Sequence, residues 1–143
     1  MTIEQIEESL PNGLHDANIR ECMMDYEHSR VMLEVNVLVG LPDEPYPECE
    51  RYRPGVLVLD GVLYYSVEFP LPGSSFRYPG PVGFSCERTP AGQVPADLWK
   101  ALPAQCQCYS LFVRDWLSTI YIAATDVSFS WSNSEDQLSR AER

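Results

Sequence analysis

The chain has 143 residues, with 10 Lys plus Arg against 21 Asp plus Glu, a formal net charge of −11 and an isoelectric point near 4.4. That length fits one domain, and a hydrophobic fraction of 45% supplies a core, which argues against a disordered acidic chain. The acidity argues against nucleic acid or an anionic membrane as partner, because phosphate recognition needs a basic face.

Thr2 followed by Gln5 has the form of a capping box, and Ile3, Ile6 and Leu10 recur at helical spacing, so a short helix is predicted over residues 3–9. Pro11-Asn12-Gly13 ends it. Between Ala17 and Tyr26 the apolar phase set by Ile19 changes before Cys22, Met24 and Tyr26, which predicts a strand with a β-bulge at Arg20-Glu21. A turn at Glu27–Arg30 leads to Val31, Leu33, Val35, Val37 and Val39, whose strict alternation predicts the second strand of a hairpin. Residues 41–54 carry four prolines among Asp43, Glu44, Glu48 and Glu50 and read as an acidic surface loop.

Val56–Leu59 and Val62–Phe69 are β-prone runs separated by Asp60-Gly61. That dipeptide suits a type I′ hairpin turn, and one long strand bent at Gly61 is the alternative. Residues 70–81 form a second loop, rich in Pro and Gly, that presents Phe76, Arg77 and Tyr78 either for contact or folded back over the core. Val82, Phe84 and Cys86 alternate as a short strand, and Pro95 with Leu98, Trp99 and Leu102 predicts a short helix near residues 95–102. Cys106–Arg114 and Thr119–Trp131 are the last strands. A bulge near Thr125-Asp126 keeps Ile120, Ile122, Ala124, Val127, Phe129 and Trp131 on one face.

The predicted fold is mainly β: an antiparallel β-sandwich or strongly curved sheet of about seven strands, with a short N-terminal helix and one short helix near residues 95–102. Residues 1–131 form the single domain and 132–143 a polar tail. The beginning lacks the basic start and apolar core of a signal peptide, and no apolar run approaches membrane-span length, so a soluble cytoplasmic protein is expected. Five cysteines without a secretory signal imply reduced thiols. Cys106 and Cys108 share one strand face and read as small hydrophobes, since no second Cys or His pair stands at zinc spacing; no metal or cofactor is expected.

Leu10–Ala17, Arg53–Val62 with Glu68-Phe69-Pro70, and Ile120–Val127 resemble a family of small uncharacterised bacterial β-rich proteins. Leu14-His15-Asp16-Ala17 leading into an antiparallel hairpin is also loosely similar to immunity proteins of bacterial toxin systems. That likeness implies an acidic, non-enzymatic chain that binds one toxin.

Twelve of the 21 acids but only Arg20 and Arg30 among the basic residues fall in residues 1–50. This asymmetry points to an acidic surface, centred on Asp43, Glu44, Glu48 and Glu50, that docks on a basic protein partner. His15 and Asp16 are the candidates for an alternative, a small enzyme or metal-dependent sensor, with Asp126 or Cys108 as a further member if the fold brings it near. If residue 16 opens a strand, those two side chains point to opposite faces and need not cooperate; the structural reading packs His15 beneath the first loop and has Asp16 bond backbone amides at a strand entry. His28, in a turn, reads as solvated. Hydrolase, phosphate-loop and zincin motifs are absent, and a third reading is an assembly subunit joined through a strand edge.

Overall fold

The computed structural model describes residues 1–71, 76, 82–90, 93 and 100–132. Helix α1 (Ile3–Ser9) starts at the expected capping box: Gln5 N donates to Thr2 Oγ1 and Thr2 N donates to Gln5 Oε1. These bonds satisfy amides that a helix start otherwise leaves open. Ile3, Ile6 and Leu10 are buried, so the helix is held by its apolar stripe more than by its seven-residue length.

Among the described residues eight strands follow: β1 (Asn18–Asp25), β2 (Arg30–Leu38), β3 (Tyr52–Asp60), β4 (Tyr64–Val67), β5 (Val82–Arg88), β6 (Gln107–Val113), β7 (Ser118–Ala124) and β8 (Asp126–Trp131). All pairings are antiparallel, in the order β4-β7-β6-β5-β1-β2-β3-β8, and the sheet is not closed into a barrel. The mainly β architecture matches the sequence expectation, with one strand more than the predicted seven.

Two four-stranded halves compose the sheet. One holds β1, β2, β3 and β8, the other β5, β6, β7 and β4, and they are joined where Asn18 pairs with Gly83 and Ile19 with Val82. On the far side two chain segments turn from one half into the other. β3 runs into β4 through Gly61, and β7 runs into β8 through Thr125. Inward residues of the two halves form one core: Val31, Leu33, Val35, Val37, Leu57 and Leu59 with Phe84, Leu111, Val113, Ile120 and Ile122, together with α1. Each fully buried aliphatic side chain of this kind contributes about 1.5–3 kcal/mol against exposure.

The strand β2 alternates in burial along its whole length, as its sequence does. The bulge in β1 is where the phase slip placed it, with the register against β2 shifting between Ile19 and Glu21. The Asp60-Gly61 hairpin is not formed, because β3 and β4 do not pair with each other. The chain bends there instead, with Gly61 at φ +62°, and a Cβ at this position would fall on Thr125 Oγ1. The acidic loop is also shorter than the predicted 41–54. A 3₁₀ turn occupies Glu48–Glu50, and Tyr52, Arg53 and Pro54 already belong to β3. Pro54 is tolerated because it sits at the end of the β3–β8 pairing, where its carbonyl still accepts from Ser132 N at 3.0 Å and only its own missing N–H is lost from the ladder. The helix predicted near 95–102 falls outside the described residues except Lys100–Leu102, as does the tail beyond Ser132.

Candidate functional site

The acidic segment after β2 is tied down by its backbone. Val39 N and Gly40 N both donate to Arg51 O, at 2.9 and 3.1 Å, and Asn12 Nδ2 donates to Leu38 O and Gly40 O, each at 2.9 Å. Gly40 is required by close approach: a Cβ there would fall on the backbone of Glu48 and Cys49. Successive turns, Glu44 N to Leu41 O at 3.0 Å and Glu50 N to Pro47 O at 3.0 Å, fix the interior.

The four predicted acids are used differently. Asp43, Glu48 and Glu50 are exposed. Glu44 is half-buried and its Oε1 accepts from Leu41 N at 2.8 Å, so it serves the loop's own geometry. Tyr46 stands among them 77% exposed, a side chain that the sequence reading passed over. Its signal was an aromatic residue flanked by acids and prolines, a composition that cannot bury it locally.

Glu50 and Asp16 line one polar cleft of about 550 Å³, with Asn18, Tyr52 and Arg114. The fold thus brings together two candidates that sequence treated separately. Asp16 precedes β1 and has φ +62°, a left-handed conformation that Asp tolerates better than most residues. In that turn His15 Nδ1 and Asp16 Oδ2 meet at 2.9 Å, with the imidazole 78% exposed. Two expectations are therefore corrected: the side chains do not diverge across a strand, and His15 is not packed beneath the loop.

Other candidates lie elsewhere. Asp126 pairs with the Met1 ammonium at 3.1 Å and does not line the cleft. Cys106 and Cys108 are buried against Ala123, Tyr64 and Leu102, and burial raises both thiols above their ordinary pKa. His28 Nδ1 lies 2.8 Å from Asp25 Oδ2 in the β1–β2 turn, and this hydrogen bond holds the Asp25 carboxyl below its ordinary value. Phe76 packs edge-on against Trp116, with ring centroids 5.1 Å apart, and is half exposed. Arg77 and Tyr78 fall outside the described residues.

Among the described residues no three His, Cys, Asp or Glu side chains are grouped to hold a metal ion, and no helix is long and apolar enough to cross a membrane. What the arrangement offers chemically is an anchored acidic rim beside a polar cleft, with one imidazole–carboxylate pair at its edge. The chain matches no family model, no curated protein and no solved structure.

Proposed function

We propose that this is a non-enzymatic binding protein, immunity-like in mode, that works in the reducing cytoplasm and docks its acidic segment on a basic protein. The observation that carries this reading is the anchoring of residues 39–51: Asp43, Glu48 and Glu50 project from a backbone fixed by Arg51, Asn12 and Gly40. Charges held in place before contact lose less freedom on binding, so more of their attraction reaches the complex. Tyr46 and Tyr52 add amphipathic aromatic area beside the acids, a residue type enriched where interfaces bind tightly. The five free cysteines are in keeping with a reducing setting.

The test is retention of a basic protein from host lysate at low salt on immobilised protein, compared with the variant Asp43→Asn, Glu48→Gln, Glu50→Gln. Glu44 is left in place because it supports the loop. A partner eluted by rising salt and lost by the variant is the expected result, with association slowing about tenfold or more for the variant. A partner held equally by both proteins at all salt concentrations overturns the reading.

A further inference from the structure

Beyond its bulge, β1 parts from β5, whose pairing with it ends at Asn18 and Ile19, while β4 is an edge strand that pairs with β7. The gap between these strands is bridged by Tyr65 Oη and Cys22 Sγ at 3.4 Å. Beside that bridge lies a cavity of about 310 Å³, walled by Tyr65, Val67, Phe69, Phe76, Trp116 and Ile120. Its size and apolar wall suit a small ligand. Phe69 is 92% exposed, an apolar surface that water covers at a cost.

A second cavity of about 170 Å³ adjoins it, sharing Cys22, Phe76, Trp116 and Ile120, and adds Arg20 and Glu21 to the rim. The bulge leaves these two consecutive charged residues together on the exposed side of β1 at the mouth of that cavity, Glu21 opposite Glu34, where a regular strand would send them to opposite faces. Neither makes an ion pair among the described residues, with each other or with any third group. An anion alone would meet Glu21, and a cation alone would meet Arg20. A head carrying both charges satisfies both.

From this we infer that the groove between β1 and β4 is a binding site for a free α-amino acid with a large apolar side chain. The guanidinium of Arg20 takes the α-carboxylate, for which its planar fork is suited. Glu21 takes the α-ammonium, and the side chain enters the apolar cavity. This assignment is independent of the acidic docking face.

Titration calorimetry of the intact protein with L-phenylalanine, 3-phenylpropionate and phenethylamine tests it, with the Trp116 indole resonance followed by NMR. Phenylalanine is expected to bind with a Kd of about 1 mM or tighter, and each truncated analogue about tenfold more weakly. Arg20→Gln should abolish the preference for phenylalanine over phenethylamine while keeping that over 3-phenylpropionate, and Glu21→Gln should do the reverse. Both positions are exposed, so neither change threatens the core. No shift of Trp116 at about 10 mM phenylalanine, equal binding of the three compounds, or preferences unchanged in both variants would overturn the assignment.

Discussion

Gly61 carries two constraints at once: a left-handed backbone and contact with Thr125 from the neighbouring corner. Gly61→Ala therefore adds backbone strain and a steric clash, and is expected to lower unfolding free energy by about 2 kcal/mol, read from the denaturant midpoint. Adding Thr125→Ala should restore the part due to the clash and leave the part due to φ; no coupling between the two changes would refute this account. Asp25 offers a second residue-level prediction. Its folded pKa lies below the ordinary 3.8, first because of the hydrogen bond with His28, so its contribution is present above that value and is lost as pH falls through the folded one. In His28→Gln the Asp25 carboxyl should titrate closer to 3.8, seen in its side-chain carbon resonance. An unchanged titration would mean the backbone amides of Glu27 and His28 suffice. Single residues were legible in sequence where their cause is local. Thr2 and Gln5 announce the cap because they are three apart, and Arg20 announces the bulge because one extra residue inverts an alternation. Asp60-Gly61 misled because the positive φ that suits a hairpin turn suits a bend equally well; which one forms depends on the strand alongside.

Among the strands, β6 shows how one element serves two environments. Tyr109, Leu111 and Val113 enter the main core, while Cys108 joins Cys106 on the other face against Ala123. The alternation of Cys106 and Cys108 was legible in sequence, but their cover was not, since Ala123 arrives from β7 and Tyr64 from β4. Thiol chemistry follows from this placement. Burial pushes the Cys86 thiol up to about 12, with Glu7, Glu87 and Glu4 adding to it, and also raises Cys22, Cys106 and Cys108. Cys49, on the 3₁₀ turn, is the expected first site of reaction with a maleimide at pH 8, because the thiolate is the reacting form and the other four are disfavoured from forming it. Mass mapping of a time course checks this order, and Cys49→Ser should remove the fast phase. Fast labelling of Cys86 in the native protein would contradict it.

At the scale of the whole molecule, each half is paired more extensively within itself than the two halves are to one another. β2 and β3 pair along nine residues each, from Arg30 with Asp60 to Leu38 with Tyr52, whereas β1 meets β5 only at Asn18 and Ile19, helped by Phe84 N donating to Ala17 O at 3.3 Å. Local opening should begin at this joint. In native-state hydrogen exchange the Phe84 amide is expected to exchange at least about tenfold faster than those of Leu57 and Leu111, which sit in strands paired on both sides. Equal protection at all three would show that the halves open as one unit. The same long-range pairing explains why the candidate site was half legible. The acids of residues 43–50 declare themselves by composition, but Asp16 and Arg114 reach their cleft only through strand order, which no local pattern encodes.

The paired corners at Gly61 and Thr125 also make chain length a carrier of information. Tyr65 faces the main core and Cys22, while its neighbour Tyr64 faces Cys106 and Cys108. A single residue inserted between Asp60 and Tyr64, if absorbed as a shift of β4 along β7, would exchange these two tyrosines between opposite sides of the sheet. The short connection through Gly61 is thus a ruler: it measures out which phenol is delivered to which thiol, and tolerates no change in its number of divisions.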